Sequence, residues 1–139
     1  MDIPREAIEI AKLYEGLSLK PYLCPGGEWT IGYGHRCEAT HPTITEAQAE
    51  SYLINDMENA AEATDRLAPN LTGSKRAAII DFVFNLGEGA FGRSTLRKRL
   101  LDEDWAAAEV ELRRWVYAKG VRLEGLVKRR NAEVKLLRK

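Results

Sequence analysis

The sequence predicts a mainly helical α+β fold, with a small N-terminal β-hairpin subdomain and a larger α-helical lobe joined by one long helix. Three observations lead there. Two short strand-like runs, residues 17–24 and 28–33, flank the turn Pro25-Gly26-Gly27, which is a strong hairpin signal. Apolar residues then recur at helical spacing over residues 45–67 without an interrupting glycine or proline. After Pro69 the segments with a clear period are helical. A chain of 139 residues with 45% hydrophobic and 30% charged content suits a single domain. Its expected parts are a hairpin lobe at about 16–45, a connecting helix at about 45–67, and a helical lobe at about 70–139 that also takes in the first helix.

Taken in order, Pro4 sits where a first helical turn tolerates proline. Ile3, Ala7, Ile8, Ile10, Ala11 and Tyr14 then form an apolar stripe, and Gly16 caps the helix end directly after Glu15. The first strand is broken by Pro21. Gly32 and Gly34 imply close backbone packing or positive φ. Residues 36–43 read as irregular, with room for a short third strand. Thr45 and Gln48 make a capping box for the long helix, whose residues span roughly 33 Å at 1.5 Å each. Residues 72–86 are apolar nearly all round and predict the buried centre of the helical lobe. Gly87, Gly89 and Gly92 predict a loop, and residues 94–101 a short helix. Asp104 caps a helix carrying Trp105, Ala108, Val110, Leu112 and Trp115. Gly120 and Gly125 bracket a turn before a basic helix over residues 126–137. The first helix is expected to pack back onto the later ones, leaving a cleft between the lobes with Glu15 at its edge.

The formal net charge is zero, yet residues 1–69 hold 5 Lys/Arg against 12 Asp/Glu and residues 70–139 hold 16 against 9. Such a dipole fits a basic face for an anionic polymer, or two surfaces that attract each other. No recognition-helix or aromatic-basic sheet pattern supports nucleic-acid binding. The N-terminal segment, residues 1–16, is amphipathic and acidic, without a signal pattern, and no run of about 18 apolar residues predicts membrane insertion. The expectation is a chain made in the cytoplasm, or an excised mature domain. Two cysteines, Cys24 and Cys37, are no disulfide framework. Cys37 and His41 lack companions for a zinc site, so no metal and no cofactor is expected.

Glycoside hydrolysis requires a proton donor for the leaving oxygen and a second polar group on the far side for water. A carboxyl at a helix C-terminus among bulky side chains feels desolvation and the negative dipole end, both of which favour its protonated form. Glu15, flanked by Leu13, Tyr14 and Leu17, fits that description, as would an ordinary solvated glutamate. The wider pattern goes further. Glu15-Gly16, Tyr22 and Trp29-Thr30-Ile31-Gly32-Tyr33-Gly34-His35 resemble the phage lysozymes, the muramidase endolysins of glycoside hydrolase family 24. The likeness continues in order through Ile44-Thr45, Phe82-Val83-Phe84-Asn85-Leu86-Gly87, Phe91, Ser94-Thr95-Leu96, Trp105 and Gly125-Leu126-Val127-Lys128-Arg129-Arg130 with Glu133.

The resemblance implies a lysozyme-like fold and hydrolysis of the β-1,4 bond between N-acetylmuramic acid and N-acetylglucosamine in peptidoglycan, leading to host cell lysis. The family's Glu, Asp-or-Cys, Thr triad falls on Glu15, Cys24 and Thr30, nine and then six positions apart. Glu15 maps to the general acid and Thr30 to the hydroxyl that holds the attacking water. For Cys24 three readings stand: a thiol or thiolate that places water or stabilises positive charge, a covalent nucleophile, or a spectator. Phe84, Asn85 and Thr95 map to substrate contacts, with core packing as the other reading for Phe84. His35 is read as a structural imidazole paired with Asp56 rather than a base. Trp115 is read as core or as a sugar platform. The basic run Lys128-Arg129-Arg130 is read as a wall attractant or as an ion-pair network near Glu15. Cys24 and Cys37 would either form an inactivating disulfide or leave a free, partly buried thiol. The family further implies a monomer released by a holin from the host cytoplasm to the periplasm or wall. A peptidoglycan-binding structural module of weak activity is the alternative.

Overall fold

The computed structural model describes residues 2–139; Met1, which opens the predicted amphipathic segment, lies outside the described residues. Helix α1 (Arg5–Glu15) buries Ala7 and Ala11 completely and ends at Gly16, whose φ of 70° frees its N–H to bond the Lys12 carbonyl at 3.0 Å. Strands β1 (Ser18–Leu23), β2 (Trp29–Gly32) and β3 (His35–Arg36) follow. They form one antiparallel sheet in the order β1-β2-β3, so the third strand exists and begins one residue earlier than expected. Pro21 bends β1 without ending it. It has no N–H for the ladder, and the register slips between Ser18 and Tyr22.

Helix α2 (Glu46–Leu67) is closed at its start by both halves of the capping box, Gln48 N–H to the Thr45 hydroxyl at 3.1 Å and Thr45 N–H to the Gln48 amide at 2.9 Å. Its first buried residue, Ala49, packs with Ile31 and Ile44 under the sheet. Leu53, Met57, Ala60 and Ala61 enter the larger core of the helical lobe. One helix therefore serves two hydrophobic clusters, and its stiffness sets their spacing.

Helix α3 (Gly73–Leu86) is the centre of the larger core, packing against α1, α2 and the last helix. The glycine-rich stretch expected as loop is instead a short helix, α4 (Glu88–Gly92), because Phe91 is fully buried against Phe82 at 6.0 Å between rings and draws the backbone into a turn. Helices α5 (Thr95–Leu101) and α6 (Trp105–Leu112) are capped by Ser94 and Asp104 side chains. The expected turn near Gly120 is a small hairpin, β4 (Tyr117–Ala118) and β5 (Val121–Arg122), whose two tip residues Lys119 and Gly120 both have positive φ. Helix α7 (Glu124–Leu137) closes the chain.

Sheet order also decides the cysteines. Cys24 bonds through its N–H to Glu28 on one side of β2, and Cys37 through its N–H to Trp29 on the other, each at 3.0 Å. With strands about 4.8 Å apart the two Cα atoms stand roughly 9–10 Å apart, beyond the ~7 Å reach of a disulfide. Both thiols are free, which selects the free-thiol reading over the disulfide. Titration of the folded protein with a thiol reagent is expected to count two thiols per chain with or without prior reduction; a count that rises on reduction would show a bridge this sheet excludes.

Candidate active site

A cleft of about 1070 Å³ runs between the sheet and the helical lobe, lined among others by Glu15, Cys24, Thr30, His35, Asp56, Phe84, Asn85 and Arg129. Within it the Glu15 carboxyl, at the last residue of α1, is held from two sides. Arg129 Nη1 donates to Glu15 Oε2 at 2.6 Å. On the other side lies the backbone of Gly34, with φ of 75°: a Cβ there would stand 2.6 Å from Glu15 Cδ and 2.7 Å from Oε1. Gly34 is thus required twice, by its left-handed φ and by the carboxyl that occupies the place of its side chain. The guanidinium thus engages Oε2, while Oε1 lies against the Gly34 backbone.

Arg129 is itself fixed from below. Its Nε and Nη2 donate to the two oxygens of Asp81 at 2.9 and 2.8 Å, a forked pair in which both side chains are buried. Burial alone would lower the Arg129 guanidinium and raise the Asp81 carboxyl. The attraction between them, helped by Glu15 at Arg129, outweighs this and moves each the other way. Next on α7, Arg130 meets Glu133, with Nε 2.8 Å from Oε1 and Nη2 3.1 Å from Oε2, and also donates to Asn85 Oδ1 at 2.6 Å. The Nε approach to Oε1 is close but poorly directed for a hydrogen bond, so Nη2 makes the one well-formed bond of this pair. Glu133 is fully buried, and burial, with Asp81 facing it, pushes its carboxyl well above the ordinary range.

Cys24 follows β1 at the hairpin turn, partly exposed to the cleft. Burial would raise its thiol, yet the backbone amides of Glu28 and Gly26 and the Thr30 hydroxyl stabilise the thiolate and bring it below the ordinary value. Thr30 is nearly buried on β2, and its hydroxyl also reaches the Glu28 carbonyl at 3.1 Å. With one proton to give, it bonds that carbonyl when the sulfur is protonated and turns to the sulfur when it is not. Tyr22 feels both Glu15 and Cys24, which after burial raise its phenol.

Of the other residues singled out from sequence, Phe84 and Asn85 line the cleft, and the Phe84 ring also lies 5.8 Å from the Arg129 guanidinium carbon. His35 and Asp56 come together at 2.7 Å, with Tyr52 stacked on the imidazole at 4.5 Å. Thr95 does not join them: it is exposed at the start of α5, outside the cleft lining, because the Ser94 cap turns that helix onto α4 and α6. Trp115 packs edge-on against Phe82 at 5.5 Å in the core. Arg129 and Arg130 of the basic run are buried in ion pairs, which leaves Lys128 alone exposed among the three. Sequence reasoning passed over Asp81, read as part of an apolar helix. Its signal was the single acid within residues 77–86, since a buried acid implies a buried cation. It also missed the β4–β5 hairpin, whose Tyr117 and Ala118 line the cleft and whose Lys119 packs against Gly27 across it.

Two outcomes follow from this geometry. Gly34→Ala should push the Glu15 carboxyl off Arg129 and cost about a hundredfold in activity, the scale of a misplacement near 1 Å, while the chain still folds by circular dichroism. Iodoacetamide should alkylate Cys24 at lower pH than Cys37, whose thiol burial and Glu38 push up. Mass-spectrometric mapping against pH checks this, and Cys37 reacting first would contradict the assigned environments.

Comparison with known proteins places this architecture. The profile of the family described as Phage lysozyme matches residues 12–133. An endolysin of Acyrthosiphon pisum secondary endosymbiont phage 1 is 41% identical over 143 aligned positions, covering 96% of this chain and 95% of that protein. Among solved structures, the muramidase domain of SpmX from Asticaccaulis excentricus superposes with a TM-score of 0.86 at 31% identity, over 98% of this chain and 97% of that one. The endolysin from Escherichia coli O157:H7 phage FAHEc1 gives 0.83 at 28% identity, over 99% and 93%. With the profile spanning most of the chain, including the acid, both hairpin residues and the buried arginines, the protein belongs to the phage lysozyme family.

Proposed function

We propose that this protein is an endolysin that hydrolyses the β-1,4 bond between N-acetylmuramic acid and N-acetylglucosamine of peptidoglycan, with Glu15 as proton donor and Cys24 and Thr30 as the groups that serve the attacking water. The observation that carries the reading is the placement of Glu15: a carboxyl fixed by Arg129 at 2.6 Å, facing a cleft it shares with a thiol of lowered proton affinity. Glu15 Oε1 gives its proton to the glycosidic oxygen and the C1–O bond breaks with the electron pair on the leaving sugar. Arg129 stabilises the carboxylate left behind. Water, held by the Thr30 hydroxyl, attacks C1 and passes its proton to the Cys24 thiolate. The thiolate also faces the positive charge that develops on the sugar ring. Phe84 and Asn85 offer the saccharide a cleft wall.

The order of motifs supports assignment to glycoside hydrolase family 24. It also supports action on the wall as a monomer after holin-dependent release from the host cytoplasm to the periplasm. Turbidity of outer-membrane-permeabilised Gram-negative cells tests the enzyme. Steady clearing is expected, with Glu15→Gln reducing it by at least about a hundredfold and Cys24→Asp retaining substantial activity. Lysis at the wild-type rate by Glu15→Gln would sink the mechanism, and pelleting with walls without clearing would make the chain a binding module. A Cys24→Asp variant that is inactive, together with a thioether-linked sugar trapped on the wild-type protein, would make Cys24 the nucleophile.

A further inference from the structure

Arg130 is the buried cation to which the mechanism gives no task. It lies fully buried on α7, and its guanidinium serves three partners. Nε stands 2.8 Å from Glu133 Oε1, Nη2 donates to Glu133 Oε2 at 3.1 Å, and Nη1 donates to the Trp115 carbonyl at 3.4 Å. Its shortest bond points outward: Nη2 donates to Asn85 Oδ1 at 2.6 Å. Asn85 is the last residue but one of α3, half-buried, and lines the cleft. An amide has one accepting end and one donating end, whereas a guanidinium only donates. Oδ1 must therefore face Arg130, and Nδ2 points the other way. Turned over, the amide would set two donors 2.6 Å apart and leave a proton of a buried charge without an acceptor. Among the described residues Nδ2 makes no hydrogen bond and is not a buried, unpartnered atom, so it is reached from the cleft.

We propose that Arg130 is a positioning residue that sets specificity: by locking the Asn85 amide with Nδ2 toward the cleft, it makes that wall a donor for the acetamido carbonyl oxygen of an N-acetylated amino sugar. The proposal rests on the reading of the cleft as a muramidase site. Sugar hydroxyls both donate and accept, so either end of an amide serves them and a locked one does not select among them. The acetamido carbonyl only accepts, and both sugars of the strand carry it. An ammonium in its place only donates, and meets Nδ2 donor to donor. Glu133 acts one step further back. It neutralises Arg130 where a lone charge is costly, and so keeps a cation behind Asn85. The buried ion pair thereby decides which end of a cleft amide the saccharide meets.

The test compares clearing of one batch of purified wall in two forms, chemically de-N-acetylated and then re-N-acetylated, at about pH 6, where a freed amine is an ammonium. The unaltered chain should clear the re-acetylated form about tenfold faster. Asn85→Asp keeps one oxygen for Arg130 and turns the other, an acceptor, to the cleft. Its preference should fall to about parity or reverse, whatever its absolute rate. Any change that this carboxylate brings to Glu15 acts on both forms and cancels in the ratio. Arg130→Met with Glu133→Leu replaces the pair by apolar side chains, a change that buried pairs often tolerate. The amide can then turn over, and the preference should drop at least about threefold with Asn85 still in place. A merely structural role would lower both rates together, so an unchanged ratio in either variant would overturn the proposal. Should the double variant fail to fold by circular dichroism, Asn85→Asp decides. An unaltered chain that clears neither form would defeat the muramidase reading itself, whereas equal clearing of both would defeat only this inference.

Discussion

The Arg129 guanidinium is the interaction on which the rest of the structure depends. It is buried, and a buried charge survives only when its partners surround it. Here Asp81 on α3 takes two of its donors and Glu15 on α1 takes a third, so one side chain on α7 ties three helices together. Removing one partner from such a group costs about 3–5 kcal/mol, because the other charge is left buried and alone. The same bonds that stabilise the lobe also aim the acid. Stability and the placement of the Glu15 carboxyl are therefore coupled at this point, and that placement depends on a residue 114 positions further along the chain.

Around this hub the sheet is held to the helices by few contacts, each with a second use. The His35–Asp56 pair at 2.7 Å and the Lys12–Glu50 pair at 2.7 Å fasten the sheet side and α1 to α2. Such partly exposed pairs contribute little energy, but they fix orientation. Ile31, Ile44 and Ala49 form a second, small core that orders the strands. Because α2 enters both cores, the cleft between them has a width set by a rigid helix rather than by a linker. Gly34 then lets the β2–β3 turn approach the acid more closely than any residue with a side chain would. The acid is thus confined between a guanidinium from the helical lobe and bare backbone from the sheet.

Legibility in the sequence followed the range of the interaction. Local features were readable. The capping box of Thr45 and Gln48, the Asp104 cap, the Gly16 stop and the Pro25-Gly26-Gly27 turn all act within a few residues, and all stand where their chemistry put them. The motif residues Glu15, Cys24 and Thr30 lie close together in the chain, and the hairpin brings all three to one cleft. Features whose cause is distant were not readable. The stretch 88–92 is helical because Phe91 finds Phe82, and Thr95 leaves the cleft because its helix packs elsewhere. The cysteines stay apart because β2 lies between them.

By itself, then, the sequence determined the α+β class, the extent and capping of the long helix, the hairpin, the family and the three residues at the cleft, since each rests on short-range spacing or on an ordered set of motifs. Only the tertiary structure decided what surrounds them. Asp81 looked like one polar residue in an apolar helix until α7 placed Arg129 against it. Lys128-Arg129-Arg130 read either as a wall attractant or as an ion-pair network near Glu15 until helical rotation turned two of its three charges inward onto Glu15, Asp81 and Glu133. Gly34 read as close packing or positive φ, but what it packs against, the Glu15 carboxyl in the space of its missing side chain, came only from the fold. The physical reason is common to all three. The state of a charged or strained group is set by what it faces across the fold, and spacing along the chain carries no record of that.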